Sequence, residues 1–184
     1  MLTYEMRPEG ILKNGLVDFC NSAKELLGDN ITIVEIGSYC GSGTMLIYSV
    51  FQNSKILCVD GWEKYIESCS TYDIEKQGIE LKEAETIFDE RTFGISNIVK
   101  NKILSLDFAQ TIENNSIDLV YIDGNHDYVF VRDDIMHWMP KIKSGGIIGG
   151  HDWNWPSVQK AISEIFSKDP YKTFDDGSWF FVKE

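Results

Sequence analysis

Two short stretches of this sequence end in side chains that can move protons or hold a cation. The apolar run at 117–123, IDLVYID, ends on Asp123 and leads into Gly124-Asn125-His126-Asp127. A second run, Ile147-Ile148-Gly149-Gly150, leads into His151-Asp152. Both runs read as buried strands, and open α/β sheets bind ligands at the carboxyl ends of their strands. Asp123, His126, His151 and Asp152 are therefore expected at one edge. Imidazole exchanges protons near neutral pH, and carboxylates bind hard cations. The chain has three histidines, and two lie at these ends. One histidine on a loop says little, whereas two, each beside an acid, point to a site. The third, His137, falls inside a helical pattern and reads as structural. The bland alternative for His126 is a hydrogen bond to a loop carbonyl that only shapes the turn.

A third stretch has ligand-binding spacing. Residues 31–44, ITIVEIGSYCGSGT, run from an apolar strand into Gly37, Gly41 and Gly43 and then into a helix. Strand, glycine loop and helix bring a ligand against backbone N–H groups and a helix N-terminus. The pyrophosphate pattern G-x-G-x-x-G is absent. The loop reads E-x-G-x-x-x-G-x-G-T, from Glu35 through Ser38 to Thr44. An acid beside the loop suits a ligand carrying an ammonium group and suits a phosphate poorly. The alternative is a glycine-rich turn without a ligand. Asp60 ends the next strand, 55–60, at the separation where an acid meets ribose hydroxyls, or caps a helix. Trp62 either stacks on a base or plugs a loop. Ser105 and Asp107 follow the third strand, 97–104, where they face a ligand or cap a short helix.

These residues need an alternating α/β frame. Apolar spacing predicts a helix over 11–27, closed by Gly28. Residues 61–96 read as an elaborated crossover or lid, with an acidic helix from Leu81 whose Glu80, Glu83, Glu85, Asp89 and Glu90 form a solvated face. A helix starts near Tyr128, is interrupted at Pro140, and is stopped by Ser144-Gly145-Gly146. A further helix covers 156–167, and Asp175-Asp176-Gly177-Ser178 makes a hairpin turn between two last strands. The expectation is one domain over 1–184, with 1–30 as a helical N-terminal segment.

Residues 35–44 resemble motif I of class I S-adenosylmethionine (SAM)-dependent methyltransferases. Residues 118–153, from DLVYIDGNHD to GGHDW, look like the Asp-Gly-x-His … Gly-Gly … His-Asp signature of the methyltransferase 24 group. That group includes macrocin and mycinamicin sugar O-methyltransferases and cephalosporin-hydroxylase-like proteins. The resemblance implies a Rossmann-like seven-stranded α/β sheet, mostly parallel, with an antiparallel C-terminal strand and helices on both faces. It implies O-methylation of a small molecule such as a sugar or natural product. SAM would be held by Glu35, Gly37, Ser38, Gly41, Gly43, Thr44, Asp60, Trp62, Ser105 and Asp107. His126 would be the general base, and Asp123 and Asp152 would hold Mg²⁺ or a similar ion, with His151 as third ligand. His151 departs from the family, which carries an acid there; an imidazole weakens a Mg²⁺ site or shifts it towards a softer metal. The alternative is a SAM-binding protein of the same fold with another activity or none. Gly124-Asn125-His126-Asp127 also resembles a metallophosphoesterase motif, but the upstream Asp-x-His of that fold is absent.

Composition narrows the partners. Net charge is -12, which disfavours a nucleic-acid backbone. No apolar run spans a bilayer, and no basic-then-apolar leader opens the chain. Cys20, Cys40, Cys58 and Cys69 form no C-x-x-C pair and are read as reduced thiols in a cytoplasmic protein. The oligomeric state is not legible.

Overall fold

The computed structural model describes residues 12–67 and 74–184. Seven strands form one sheet: β1 (Thr32–Ile36), β2 (Lys55–Asp60), β3 (Ile98–Lys102), β4 (Ile117–Ile122), β5 (Ile142–Gly150), β6 (Lys172–Thr173) and β7 (Trp179–Val182). Their order is β3-β2-β1-β4-β5-β7-β6. Strands β1 to β5 pair in parallel, and β7 runs antiparallel to both β5 and β6. The order reverses between β1 and β4, and such a switch point opens a crevice at the strands' carboxyl ends. The expected Rossmann-like sheet with an antiparallel C-terminal strand is present.

Successive residues of a strand face opposite sides of the sheet, and the apolar runs bury both. Val34, Val59, Val120 and Ile148 point to one face. There they pack on α4 (Ser105–Thr111), α5 (Tyr128–Trp138) and α6 (Pro156–Phe166) through Ala109, Trp138 and Ala161. Ile33, Cys58, Tyr121 and Phe180 point to the other, against α1 (Leu12–Leu27), α2 (Ser42–Val50) and α3 (Ile74–Thr92) through Phe19, Ile47 and Phe88. Phe19 is the hub of that side: its ring meets Tyr121 and Phe180 edge-on, with centroids 5.1 and 5.5 Å away. No described helix is long and apolar enough to cross a membrane.

Three local expectations change. Gly145 and Gly146 do not stop a helix; α5 ends at Trp138, a 3-10 turn covers Met139–Lys141, and the glycines lie inside β5. A Cβ on Gly146 would lie 2.8 Å from the Asp118 carbonyl, so the close pairing of β4 and β5 is what demands glycine there. Helix α4 begins at Ser105, so Ser105 and Asp107 are first-turn residues. The acidic face of α3 is not wholly solvated: Glu85 and Asp89 clasp Lys100 at 2.9 and 2.7 Å, and Glu85 also takes Lys102 at 2.7 Å. Cys20, Cys40 and Cys58 are free thiols; Cys69 lies outside the described residues.

Phe180 is fully buried under Phe19. Phe180→Ala is expected to cost about 3–5 kcal/mol, read from the urea midpoint, because the surrounding rings cannot collapse into the space. A loss below about 1 kcal/mol would contradict this packing.

Candidate active site

A cavity of about 900 Å³ lies over the switch point. Gly37 after β1, Asp60 at the end of β2, Ser105 and Asp107 after β3, and Asp123 and His126 after β4 all line it. A volume of this size accommodates a nucleoside-sized ligand with room for a second molecule.

The glycine loop is built around a buried acid. Glu35 is fully enclosed, and its Oε2 accepts hydrogen bonds from Ser38 Oγ at 2.8 Å and from Thr44 Oγ1. Burial pushes the Glu35 carboxyl up to about 7. Glu35, Ser38 and Thr44 thus tie both ends of the loop together and do not line the cavity. A Cβ on Gly43 would come within 2.7 Å of Glu35 Oε1, and one on Gly41 within 3.1 Å of Phe88. These two glycines make room for the protein's own packing. Of the three loop glycines, Gly37 lines the cavity: its φ is +86°, and a Cβ would strike the Asp123 carbonyl at 2.1 Å. Arg91 closes the outside of the loop, donating to the Cys40 carbonyl at 2.8 Å and to Ser42 Oγ at 2.7 Å. Cys40 is therefore engaged in holding the loop.

Asp60 accepts the Tyr39 N–H at 2.9 Å and the Trp62 N–H at 2.7 Å. Burial raises its carboxyl, against the pull of those two bonds. Each oxygen keeps acceptor capacity towards the cavity. Trp62 is not a stacking platform on the cavity wall. It is buried against Phe88 at 5.1 Å, and its indole N–H donates to the Tyr39 carbonyl at 2.7 Å. Ser105 donates to Asp134 Oδ1 and accepts the Trp138 indole N–H at 2.9 Å. Burial raises Asp134 to about 6, opposed by the Ser105 bond.

At the other end of the cavity, the two strand ends do converge. His126 Nε2 lies 2.7 Å from Asp152 Oδ2 and 3.9 Å from Asp123 Oδ1. His151 Nδ1 lies 3.1 Å from the same Asp152 oxygen and 3.9 Å from Asp123 Oδ1. Glu67, which the sequence did not mark, arrives from the segment after β2. Its Oε1 accepts the His126 backbone N–H and meets Nδ1, both at 2.7 Å. Asn125 donates to the Ile66 carbonyl at 3.1 Å, so the loop is latched twice to the His126 turn. Burial pulls the His126 proton off, but Asp123, Asp152 and Glu67 outweigh it and raise the imidazole to about 12. The surrounding carboxylates thus favour the charged form of His126. Asp152 shows the counterpart: burial raises it, and the two imidazoles more than reverse that and hold it well below the carboxylate range. His137 bonds the Asp133 carbonyl of its own helix and does not line the cavity.

The donor set fits a divalent metal. Asp123, His126 and Asp152 present ligand atoms all within 4.8 Å of one another. Although it lies 2.7 Å from Asp152 Oδ2, His126 Nε2 is buried with no hydrogen-bond partner among the described residues. A cation among these groups would offset clustered negative charge that is now opposed only by protons.

A family model described as "Methyltransferase domain", the methyltransferase 24 group, matches residues 34–153. The chain belongs to this methyltransferase family. Its class I membership implies SAM as cofactor, and the cavity, with Gly37 at close approach and Asp60 offering acceptors, suits a nucleoside carrying an amino-acid tail. An uncharacterised protein, R132, of Acanthamoeba polyphaga mimivirus is 27% identical over 171 residues, covering 83% of this chain and 69% of the relative. Among solved structures, the O-methyltransferase NovP shares the fold with a TM-score of 0.68 at 15% identity, covering 93% of this chain and 79% of that one. CalS11, a TDP-rhamnose 3′-O-methyltransferase of calicheamicin biosynthesis, matches with a TM-score of 0.56 at 14% identity, over 90% and 77%.

Two wall residues had no role in the sequence reading. Glu67 sits in a segment without periodicity, and its contact crosses 59 positions. Asp134 did leave a signal: it lies on the helical face of Val131, Ile135 and Trp138, where a buried acid needs a partner.

The raised Glu35 carboxyl makes the loop pH-sensitive. Below the unfolded value near 4.5 both states are protonated, and nothing is lost. As pH rises through 7 the unfolded chain ionises first, and the fold loses about 3 kcal/mol relative to a neutral side chain. Urea unfolding at pH 5 and pH 8 should show the wild type losing this much against Glu35→Gln. Parallel profiles would show that burial does not hold the proton.

Proposed function

We propose that this methyltransferase moves the methyl group of SAM to a hydroxyl of a small molecule, such as a sugar or natural product. One observation carries the reading: a single cavity joins Gly37 and Asp60 to the Asp123–His126 edge. A cofactor site alone has no use for imidazole and carboxylates at the far end. The O-methyltransferase names of NovP and CalS11 support the hydroxyl acceptor, and the latter supports a sugar. Trp155 and Phe130 line the acceptor end, with the Trp155 ring centred 4.8 Å from that of His126. Apolar rings there suit the faces of a sugar or aromatic acceptor. The net charge of -12 favours a small molecule over a nucleic acid. The free Cys20, Cys40 and Cys58 fit a reducing, cytoplasmic setting.

When bound, SAM supplies an electrophilic methyl carbon on a sulfonium. Asp60 would accept from its ribose hydroxyls, the Gly37 backbone would pass beside its amino-acid part, and the start of α4 at Ser105 and Asp107 would border its base. The acceptor oxygen must reach the methyl in line with sulfur. As the O–C bond forms, the acceptor O–H bond breaks, and its proton passes to His126 Nε2; the C–S bond breaks to leave a neutral thioether. His126 does this only as the neutral ring. Glu67 at Nδ1 selects the tautomer with Nε2 bare. A divalent cation on Asp123, Asp152 and His151 would neutralise the carboxylates that otherwise hold a proton on Nε2, and would polarise the acceptor oxygen.

Calorimetry should detect SAM binding to the wild type. Asp60→Ala should weaken it by about 10-fold or more, the effect of deleting charge-assisted hydrogen bonds. Absence of binding in the wild type would remove the cofactor reading. With an acceptor in hand, His126→Ala should lose about 10²–10⁴ in turnover while SAM affinity stays within about twofold. Near-normal turnover would remove the base.

A further inference from the structure

We propose that the cation of this site is a borderline transition ion of the Co²⁺/Zn²⁺ class, held by Asp123, Asp152 and Nδ1 of His151, with Asp176 as the buried carboxylate that orients His151. The proposal rests on the functional reading above, in which His126 serves as base.

The two imidazoles that flank Asp152 are not equivalent. His126 borders the cavity, and its Nδ1 is engaged by Glu67. His151 lies behind the cavity wall, with only 11% of its side chain exposed. Both rings stand close to the two acids: His126 with them forms the tightest donor group, and His151 Nδ1 lies 3.1 and 3.9 Å from Asp152 and Asp123. An acceptor molecule reaches only the first ring, so the first suits proton transfer and the second suits ligation. The far nitrogen of His151, Nε2, faces Asp176 Oδ2 at 3.9 Å, an ion-pair separation that a small shift of either side chain would close to a hydrogen bond.

Asp176 is the independent observation. Its side chain is fully buried; Oδ1 accepts the Ser178 N–H at 2.8 Å, and Oδ2 has no hydrogen-bond partner among the described residues. Leaving a carboxylate oxygen buried and unpaired costs stability. Space has also been cleared for it across the fold. A Cβ on Gly15, in α1, would fall 2.1 Å from the Asp176 carboxyl carbon, so this helix gives up a better helix former to admit the acid. A turn that needed only an Asp–Ser bond could be solvent-exposed. A carboxylate behind a histidine whose other nitrogen points at two acids is the arrangement that fixes a metal-ligating tautomer.

The ligand chemistry then selects the ion. Mg²⁺ takes hard oxygen ligands in near-ideal octahedra, and an imidazole replaces one of the oxygens here. Imidazole with carboxylates suits the later divalent ions.

The test uses the whole chain, stripped with a chelator and titrated by calorimetry with Co²⁺ and with Mg²⁺. SAM binding, measured on every variant, reports a folded cavity. The wild type should bind Co²⁺ with visible absorption from nitrogen ligation, and Mg²⁺ at least 100-fold more weakly. His151→Asp should weaken Co²⁺ at least 10-fold while Mg²⁺ holds or gains, so that the preference collapses. Asp176→Asn should weaken Co²⁺ by about 10–100-fold, as loss of an orienting partner does, with His151 still present. Unchanged Co²⁺ affinity in His151→Asp overturns the proposal and, with SAM binding intact, leaves the methyltransferase reading standing. Co²⁺ binding lost in His126→Ala but kept in His151→Asp also overturns it, and moves His126 from base to ligand. No SAM binding in the wild type, with Co²⁺ behaving as expected, fails the functional reading alone.

Discussion

No side chain fits between residue 37 and the end of β4. The Asp123 carbonyl lies 2.1 Å from where a Cβ of residue 37 would stand. The Asp123 N–H donates to the Ile36 carbonyl at 2.8 Å, and the Gly37 N–H to the Val59 carbonyl at 2.9 Å. Three strand ends are thereby locked at the point where the sheet changes direction. The glycine loop after β1 and the loop after β4 that carries His126 become neighbours at this contact. Glu35 can brace the glycine loop only because β1 ends in this register, and Asp123 can face Asp152 only because β4 and β5 end level. A glycine here is a condition of the architecture before it is a condition of binding.

The second constraint is electrostatic. Asp123, Asp152 and Glu67 surround one imidazole, and a second imidazole touches Asp152. Such a cluster is tolerable only when positive charge sits inside it, as protons or as a metal. The raised His126 and the depressed Asp152 express the same balance from its two sides. A base in this position depends on its neighbours' charge state, which ties proton transfer to whatever else occupies the edge. Glu67 adds a mechanical link: the segment after β2, which walls the cavity with Tyr65 and Glu63, binds the backbone and ring of His126.

Much of this was legible in the sequence, and for definite reasons. Apolar runs ending in Asp60, Asp123 and Asp152 revealed strands and their ligand-facing ends, because strand polarity alone fixes which end binds. The hairpin turn at 175–178 and the proline-started α6 were legible as local chemistry. What failed depended on contacts distant in sequence. Trp62 looked equally suited to stacking and to plugging; only the position of Phe88 decides for plugging. Gly41 and Gly43 read as ligand contacts, and the close approach of Phe88 and Glu35 adds a packing reason for glycine that the sequence did not show. Gly145-Gly146 carried a helix-stop signal that pairing with β4 overrode. Asp176 read as a turn residue because nothing near it in sequence shows that Gly15 and His151 enclose it.

The acidity of the cavity bears on the proposed cofactor. Asp60, Asp107, Asp123 and Glu67 all line one space. SAM carries a positive sulfonium that methyl transfer converts to a neutral thioether. A single charge about 8 Å from a carboxylate at an effective dielectric of 20 is worth about 2 kcal/mol. Several carboxylates therefore hold the reactant cofactor more tightly than the spent one, unless other charges offset them. A divalent ion on Asp123 and Asp152 would offset the pair nearest the reacting hydroxyl and leave Asp60 and Asp107 uncompensated around the nucleoside. The sulfonium would stand between the two, because acceptor oxygen, methyl carbon and sulfur must lie in line. The preference for reactant over spent cofactor would then depend on the charge carried at the Asp123 edge, so proton transfer and cofactor exchange would be linked through the same few carboxylates.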